Sequence, residues 1–106
     1  FQYCAATITG NLIENNHADY YGGGIHLRQW SNGLIEDNDI IGNDSKLGAG
    51  IHITFTSSPT LRDNLIQANT VGHVDLGGGG IYVYYYSNPL IERNLITQNK
   101  STKRAN

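Results

Sequence analysis

The segment Ile-x-x-Asn-x-Ile-x-x-Asn returns four times along the chain, and this repeat limits the fold more than any other feature of the sequence. The copies align without gaps: Ile8, Asn11, Ile13 and Asn16; Ile35, Asn38, Ile40 and Asn43; Leu61, Asn64, Ile66 and Asn69; Ile91, Asn94, Ile96 and Asn99. A second landmark, Gly-Ile followed by alternating residues, begins at Gly24, Gly50 and Gly80, each 14 residues before the first Asn of the next segment. Between the landmarks the columns stay in register through Ser31, Ser57 and Ser87. The periods are 27, 26 and 30 residues, and all the variation falls between the second Asn and the Gly-Ile landmark. Such variation is the behaviour of loops at one edge of a repeating scaffold.

Within each period the pattern is that of strands. Ile25 and Leu27, Ile51 and Ile53, and Ile81 and Val83 alternate with His26, His52 and Tyr82, bounded by glycine runs that would interrupt a helix. Each period predicts about three short strands joined by turns. Strands that return in the same direction every 26 to 30 residues wind as a solenoid, strand stacked on equivalent strand about 4.8 Å apart. The predicted fold is an all-β parallel β-helix of about four uncapped coils, near 1–27, 28–53, 54–83 and 84–106, in a single unit spanning 1–106. Ile8, Ile35, Leu61 and Ile91 form one interior stack, and Ile13, Ile40, Ile66 and Ile96 a second. The Gly-Ile strands line the remaining wall. Asn11, Asn38, Asn64 and Asn94, with Asn16, Asn43, Asn69 and Asn99, are expected to adopt left-handed backbone at turns and to stack their amides as a structural ladder. Aligned by the first period, Phe1 falls opposite Arg28.

Composition narrows the function classes. The 106 residues carry a net charge of -2 and a pI near 6.0, so the basic stripe that phosphate contacts require is missing and nucleic acid is an unexpected partner. The longest nearly apolar run, Ile81 to Tyr86, is far short of a membrane span. Cys4 is the single cysteine, so there is neither an intrachain disulfide nor a cysteine-rich metal site. The chain opens at Phe1 without an initiator Met, as a processed or excised piece would. The glycine runs at 22–24 and 77–80 are read as turn and strand-entry residues, since no Lys-Ser/Thr follows them to complete a phosphate loop.

The Gly-Gly-Gly-Ile, Ser-Asn-Pro and Ile-x-x-Asn-x-Ile-x-x-Asn elements together resemble the right-handed parallel β-helix repeat of the pectate-lyase-like superfamily and of secreted bacterial β-helix proteins. The resemblance covers nearly the whole chain. It implies a right-handed solenoid, in keeping with the crossover rule for parallel strands, and an extracellular or cell-surface setting. Lyases, hydrolases, epimerases, adhesins and passive scaffolds all share this fold, so the resemblance leaves the chemistry open. The polygalacturonase-type Asp-Asp and Gly-His-Gly signatures and the epimerase-type Asp-Pro-His are missing, so no catalytic residue is assigned.

With the interior filled, function belongs to the outer wall. Its columns read His26, His52 and Tyr82; Arg28, Thr54 and Tyr84; then Trp30, Thr56 and Tyr86, beside Phe55 and Tyr85. Flat rings with hydroxyl or imidazole edges suit the apolar faces and hydroxyls of sugars. His26, Arg28, Trp30, His52, Tyr82, Tyr84 and Tyr86 are therefore the candidate ligand-binding residues, with polysaccharide as the partner. The alternative is that these rings shield a strand face or pack against a neighbour. His17, Asp19, Tyr20 and Tyr21 in one variable loop, and His73 to Leu76 in the longest, are the loop candidates.

His26 and His52, about 5 Å apart in adjacent coils, would make two ligands of a metal site, with a third from His73, Asp75 or His17; no fixed spacing supports that set, and exposed wall histidines are the simpler reading. Asp37 and Asp63 share a column and would suit Ca2+ or sugar hydrolysis, but Glu36, Arg62 and Glu92, with Arg93 following Asp63, alternate in sign as surface ion pairs do. No cofactor is therefore expected, with Ca2+ the one ion that the carboxylates leave open. Three functions remain: an extracellular scaffold or binding module for polysaccharide; a structural element whose open ends stack on further coils or copies of itself; and a fragment of a lyase or hydrolase using Arg28, His52 or Asp63.

Overall fold

The computed structural model describes residues 1–72 and 77–101, and within them every regular element is a strand. The first turn contributes β1 (Thr7–Thr9) and β2 (Leu12–Glu14). The next contributes β3 (Ile25–Arg28), β4 (Leu34–Glu36), β5 (Asp39–Ile41) and β6 (Asp44–Ser45). Then come β7 (Ile51–Thr54), β8 (Thr60–Arg62), β9 (Leu65–Gln67) and β10 (Thr70–Val71). The last are β11 (Ile81–Val83), β12 (Leu90–Glu92), β13 (Leu95–Thr97) and β14 (Lys100–Ser101). All pairings between named strands are parallel, and equivalent strands of successive turns stack into four walls: β1-β4-β8-β12, β2-β5-β9-β13, β3-β7-β11 and β6-β10-β14. A turn therefore has four strands where the pattern predicted about three. The strand missed is the short wall of β6, β10 and β14, too brief to show alternation. The described residues make three complete turns and part of a fourth, slightly fewer than the about four coils expected.

The aliphatic columns pair in the register that the repeat prescribes. Ile8, Ile35, Leu61 and Ile91 stack on one wall, and Ile13, Ile40, Ile66 and Ile96 on another. On the third wall Ile25, Ile51 and Ile81 stack beside Leu27, Ile53 and Val83. The middle members are buried, each contributing roughly 1.5–3 kcal/mol, while Ile91 and Ile96 in the last turn are 40% and 46% exposed. β-Branched side chains suit these short strands because the pleated wall leaves χ1 its preferred rotamer.

The corners correct one expectation. None of the eight repeat Asn is left-handed; the residue before each one is, namely Gly10, Asn15, Asp37, Gly42, Asp63, Ala68, Arg93 and Gln98. That single left-handed residue turns the chain and leaves the following Asn to point its amide inward. Asn38, Asn43, Asn64 and Asn69 are buried, and each side-chain oxygen accepts from both the backbone N–H and the amide of the Asn one turn earlier, at 2.9 to 3.1 Å. Their amide nitrogens also donate to Ile8, Ile13, Ile35 and Ile40 carbonyls. A third buried polar column repeats the device, with Ser31 N–H donating to Ser57 Oγ and Ser57 N–H to Ser87 Oγ, both at 3.1 Å.

The Gly24, Gly50 and Gly80 landmarks mark close approach between turns: a Cβ on Gly50 would lie 2.4 Å from the Gly80 carbonyl oxygen. The first turn slips by one residue from the expected alignment, since Gln2, not Phe1, bridges Arg28. Its corner uses one left-handed residue, Tyr3, where later turns use two, Gln29–Trp30, Phe55–Thr56 and Tyr85–Tyr86.

Candidate functional site

β3, β7 and β11 point alternate residues away from the core, and their parallel register brings His26, His52 and Tyr82 into one outward row. Centroids of the two imidazoles lie 4.7 Å apart, edge to face, and His52 stacks on Tyr82 at 5.3 Å with 14° between planes. The next outward row holds Arg28, Thr54 and Tyr84. Arg28 places its guanidinium 5.4 Å from the centre of the Phe55 ring, and Tyr82 meets Tyr84 at 6.0 Å.

The variable loops then close over one side of this wall. Tyr21 bridges Leu47 one turn on, and its ring packs 5.6 Å from His26 and 5.0 Å from His52. The result is a groove of about 540 Å³ lined by Tyr21, His26, Arg28, Leu47, His52, Thr54, Phe55, Tyr82 and Tyr84. His52 is only 3% exposed, so the reading of it as an exposed wall histidine is corrected: its ring is packed between those of His26 and Tyr82, with the Tyr21 ring against it at 5.0 Å. Three polar atoms of the lining residues, His26 Nε2, His52 Nδ1 and Arg28 Nε, are buried without a hydrogen-bond partner among the described residues. Burial lowers both imidazoles to about 4, with the amino terminus and Arg28 adding to the effect at His26 and His26 itself adding to it at His52. Both rings are neutral at pH 7, leaving Arg28 as the one formal charge among the lining residues.

The structure thus gathers His26, Arg28, His52, Tyr82 and Tyr84 into one site. Trp30 and Tyr86 do not line it; each is the second of two left-handed corner residues beyond the strand ends. Tyr86, 83% exposed, is joined to the wall through Tyr85, which contacts Phe55, Tyr84 and Tyr86 at 4.8, 6.1 and 5.1 Å. Leu47 is a lining residue that sequence reasoning missed, and Tyr21 was a loop candidate without a link to the wall. A signal existed, because both stand three residues before the Gly of the next landmark.

His17 belongs to a separate cluster. Its ring nitrogens meet Asp44 at 2.7 Å and Asp19 at 3.1 Å, and the hydrogen bond to Asp44, followed by that to Asp19, raises its pKa. His73 and Asp75 lie outside the described residues. No three His, Cys, Asp or Glu side chains come together as a ligand set among the described residues. Of the column pair Asp37 and Asp63, Asp63 is held by Arg93 at 2.9 and 3.1 Å, which keeps its pKa low, and in the neighbouring column Glu36 pairs with Arg62. Asp63 is not among the groove residues, so Arg28, His52 and Asp63 do not converge.

Compared with known families, residues 1–104 match the model of the right-handed beta helix region. No curated protein and no solved structure matches the chain.

Proposed function

Because this chain belongs to the right-handed β-helix family, a scaffold shared by many chemistries, we propose that it is an extracellular or cell-surface binding module that holds polysaccharide on its aromatic wall. One observation carries the reading: Tyr82, Tyr84, Tyr85, Tyr86 and Phe55 form a continuous run of ring contacts, and all but Tyr82 are exposed. A connected surface of rings with hydroxyl edges offers sugars both stacking faces and hydrogen-bonding groups. Retention in affinity electrophoresis across a broad panel of glycans tests it. A double variant, Tyr84→Ala with Tyr86→Ala, removes two exposed rings without touching the core and is expected to abolish retention. Unchanged retention in that variant, or none for the parent chain across the panel, overturns the reading.

A second reading is favoured by the polarity of the Asn columns. Among the described residues the backbone N–H groups of Asn94 and Asn99 have no acceptor, and the side-chain oxygens of Asn11 and Asn16 have no donor. A second copy docked head to tail would supply each with the other, in the geometry that already joins the turns. Sedimentation that shows growing oligomers with concentration supports this stacking, and a monomer at all concentrations refutes it.

A further inference from the structure

The groove beneath Tyr21 has a chemistry distinct from the exposed rings beside it. Its lining residues include no carboxylate and one cation, Arg28, whose Nε is buried without a partner. No ion pair compensates that guanidinium among the described residues, and the Phe55 ring meets it through a face and not through a hydrogen bond. An anionic group in the groove would supply the missing acceptor. His26 Nε2 and His52 Nδ1 are also orphaned, the latter on a side chain almost wholly buried. A neutral imidazole presents one donor and one acceptor, so a hydroxyl, which is both, satisfies the free nitrogen in either tautomer. The remaining lining is aromatic and small, from Tyr21, Phe55, Tyr82 and Tyr84, with Leu47 and Thr54. The volume of about 540 Å³ falls in the range of sites for small molecules.

From this lining we infer that the groove binds a small aromatic carboxylate, its ring held between Tyr21 and Tyr84, its carboxylate on Arg28 and a ring hydroxyl on the His26–His52 pair. The inference goes beyond the polysaccharide reading and rests on the groove alone. An uncharged aromatic compound would offer Arg28 Nε at most a neutral acceptor, without charge assistance, and a sugar acid would leave the apolar ring surfaces poorly covered.

Calorimetric titration of the full chain with three probes separates these contributions. The probes are 4-hydroxybenzoate, 4-hydroxybenzyl alcohol with the same ring and no charge, and glucuronate with the charge and no aromatic ring. The benzoate is expected to bind at least about tenfold more tightly than either, the margin a charge-assisted hydrogen bond supplies. Arg28→Gln is expected to remove that margin, so that the variant binds the benzoate no more tightly than it binds the alcohol. In the parent chain, the ring nitrogen resonances of His52 are expected to shift with the benzoate, a readout that needs no variant. Equal affinity for benzoate and alcohol, no binding of the benzoate, or an Arg28→Gln variant that binds it as before overturns the inference. Preference for glucuronate also overturns it, while leaving the polysaccharide reading standing. Failure of glycan retention with benzoate binding intact would do the reverse.

Discussion

Asn64 is the best position at which to test whether the buried amides hold the turns together. Its side chain is 2% exposed and takes part in four hydrogen bonds. Its oxygen accepts from the N–H and the amide of Asn38, and its amide donates to the Ile35 carbonyl and to Asn94 Oδ1. Asn64→Ala strips the acceptor from the Asn38 N–H and from one Asn38 amide hydrogen and takes one donor from the Ile35 carbonyl, whereas Asn94 Oδ1 keeps the bond from the backbone N–H of residue 64. With about 1–3 kcal/mol for each buried group left unsatisfied, and partial relaxation, the expected loss is about 3–5 kcal/mol. That is a large part of the roughly 5–15 kcal/mol by which domains are stable. Asn11→Ala is the control, because Asn11 is exposed and its backbone N–H still reaches Asn38 Oδ1 after truncation. Its cost should stay below about 1 kcal/mol. Urea unfolding followed by far-ultraviolet circular dichroism measures both. Asn64→Asp, which keeps the acceptor but sets a buried carboxylate against the Ile35 carbonyl, should be at least as damaging at pH 7. If Asn64→Ala and Asn11→Ala agree within about 1 kcal/mol, the account of the amide columns is wrong.

Other expectations rest on separate parts of the structure. Gly50→Ala should destabilise by about 1–3 kcal/mol or more in the same unfolding assay, since the new methyl has a neighbouring turn's carbonyl in its way and no flexible side chain to displace. Ala68→Gly should raise stability by about 1 kcal/mol, because Ala68 holds a φ of 57° that glycine adopts without strain; a loss would refute the corner argument. The folded-state pKa values of His26 and His52 lie below the unfolded value of 6.5, at about 4, so their contribution is fully present above 6.5 and is lost as pH falls towards 4. Unfolding free energy should fall over that window, by up to about 1.4 kcal/mol per pH unit for each ring, and His52→Gln should flatten the slope. His17 works in the opposite sense: its raised pKa gives a contribution present below 6.5 and lost as pH rises through the folded value, so the pH dependence that His17→Gln removes should lie above 6.5.

The repeat alone determined the solenoid, the stacking register and the membership of each aliphatic column, because in a parallel β-helix every turn sees the same neighbours above and below and one period encodes the whole interior. Ile8, Ile35, Leu61 and Ile91 pair as the spacing dictates, and the acidic and basic residues at 36, 62, 63 and 93 pair with their column neighbours. Local geometry was less legible. The left-handed corner falls one residue before each Asn, a choice made by the inward reach of the amide and not by the intrinsic preference of Asn for such backbone. The short wall at Ser45 and Val71 carries too few residues to show a period. The groove was decided by tertiary structure. His52 is covered by its stack neighbours His26 and Tyr82 and also by Tyr21, 31 residues earlier and in a loop whose length varies from turn to turn. Periodicity specifies what lies beneath a residue in a stacked wall, but a loop that folds back across that wall obeys no period, and its packing depends on chain closure and on contacts that exist only in three dimensions.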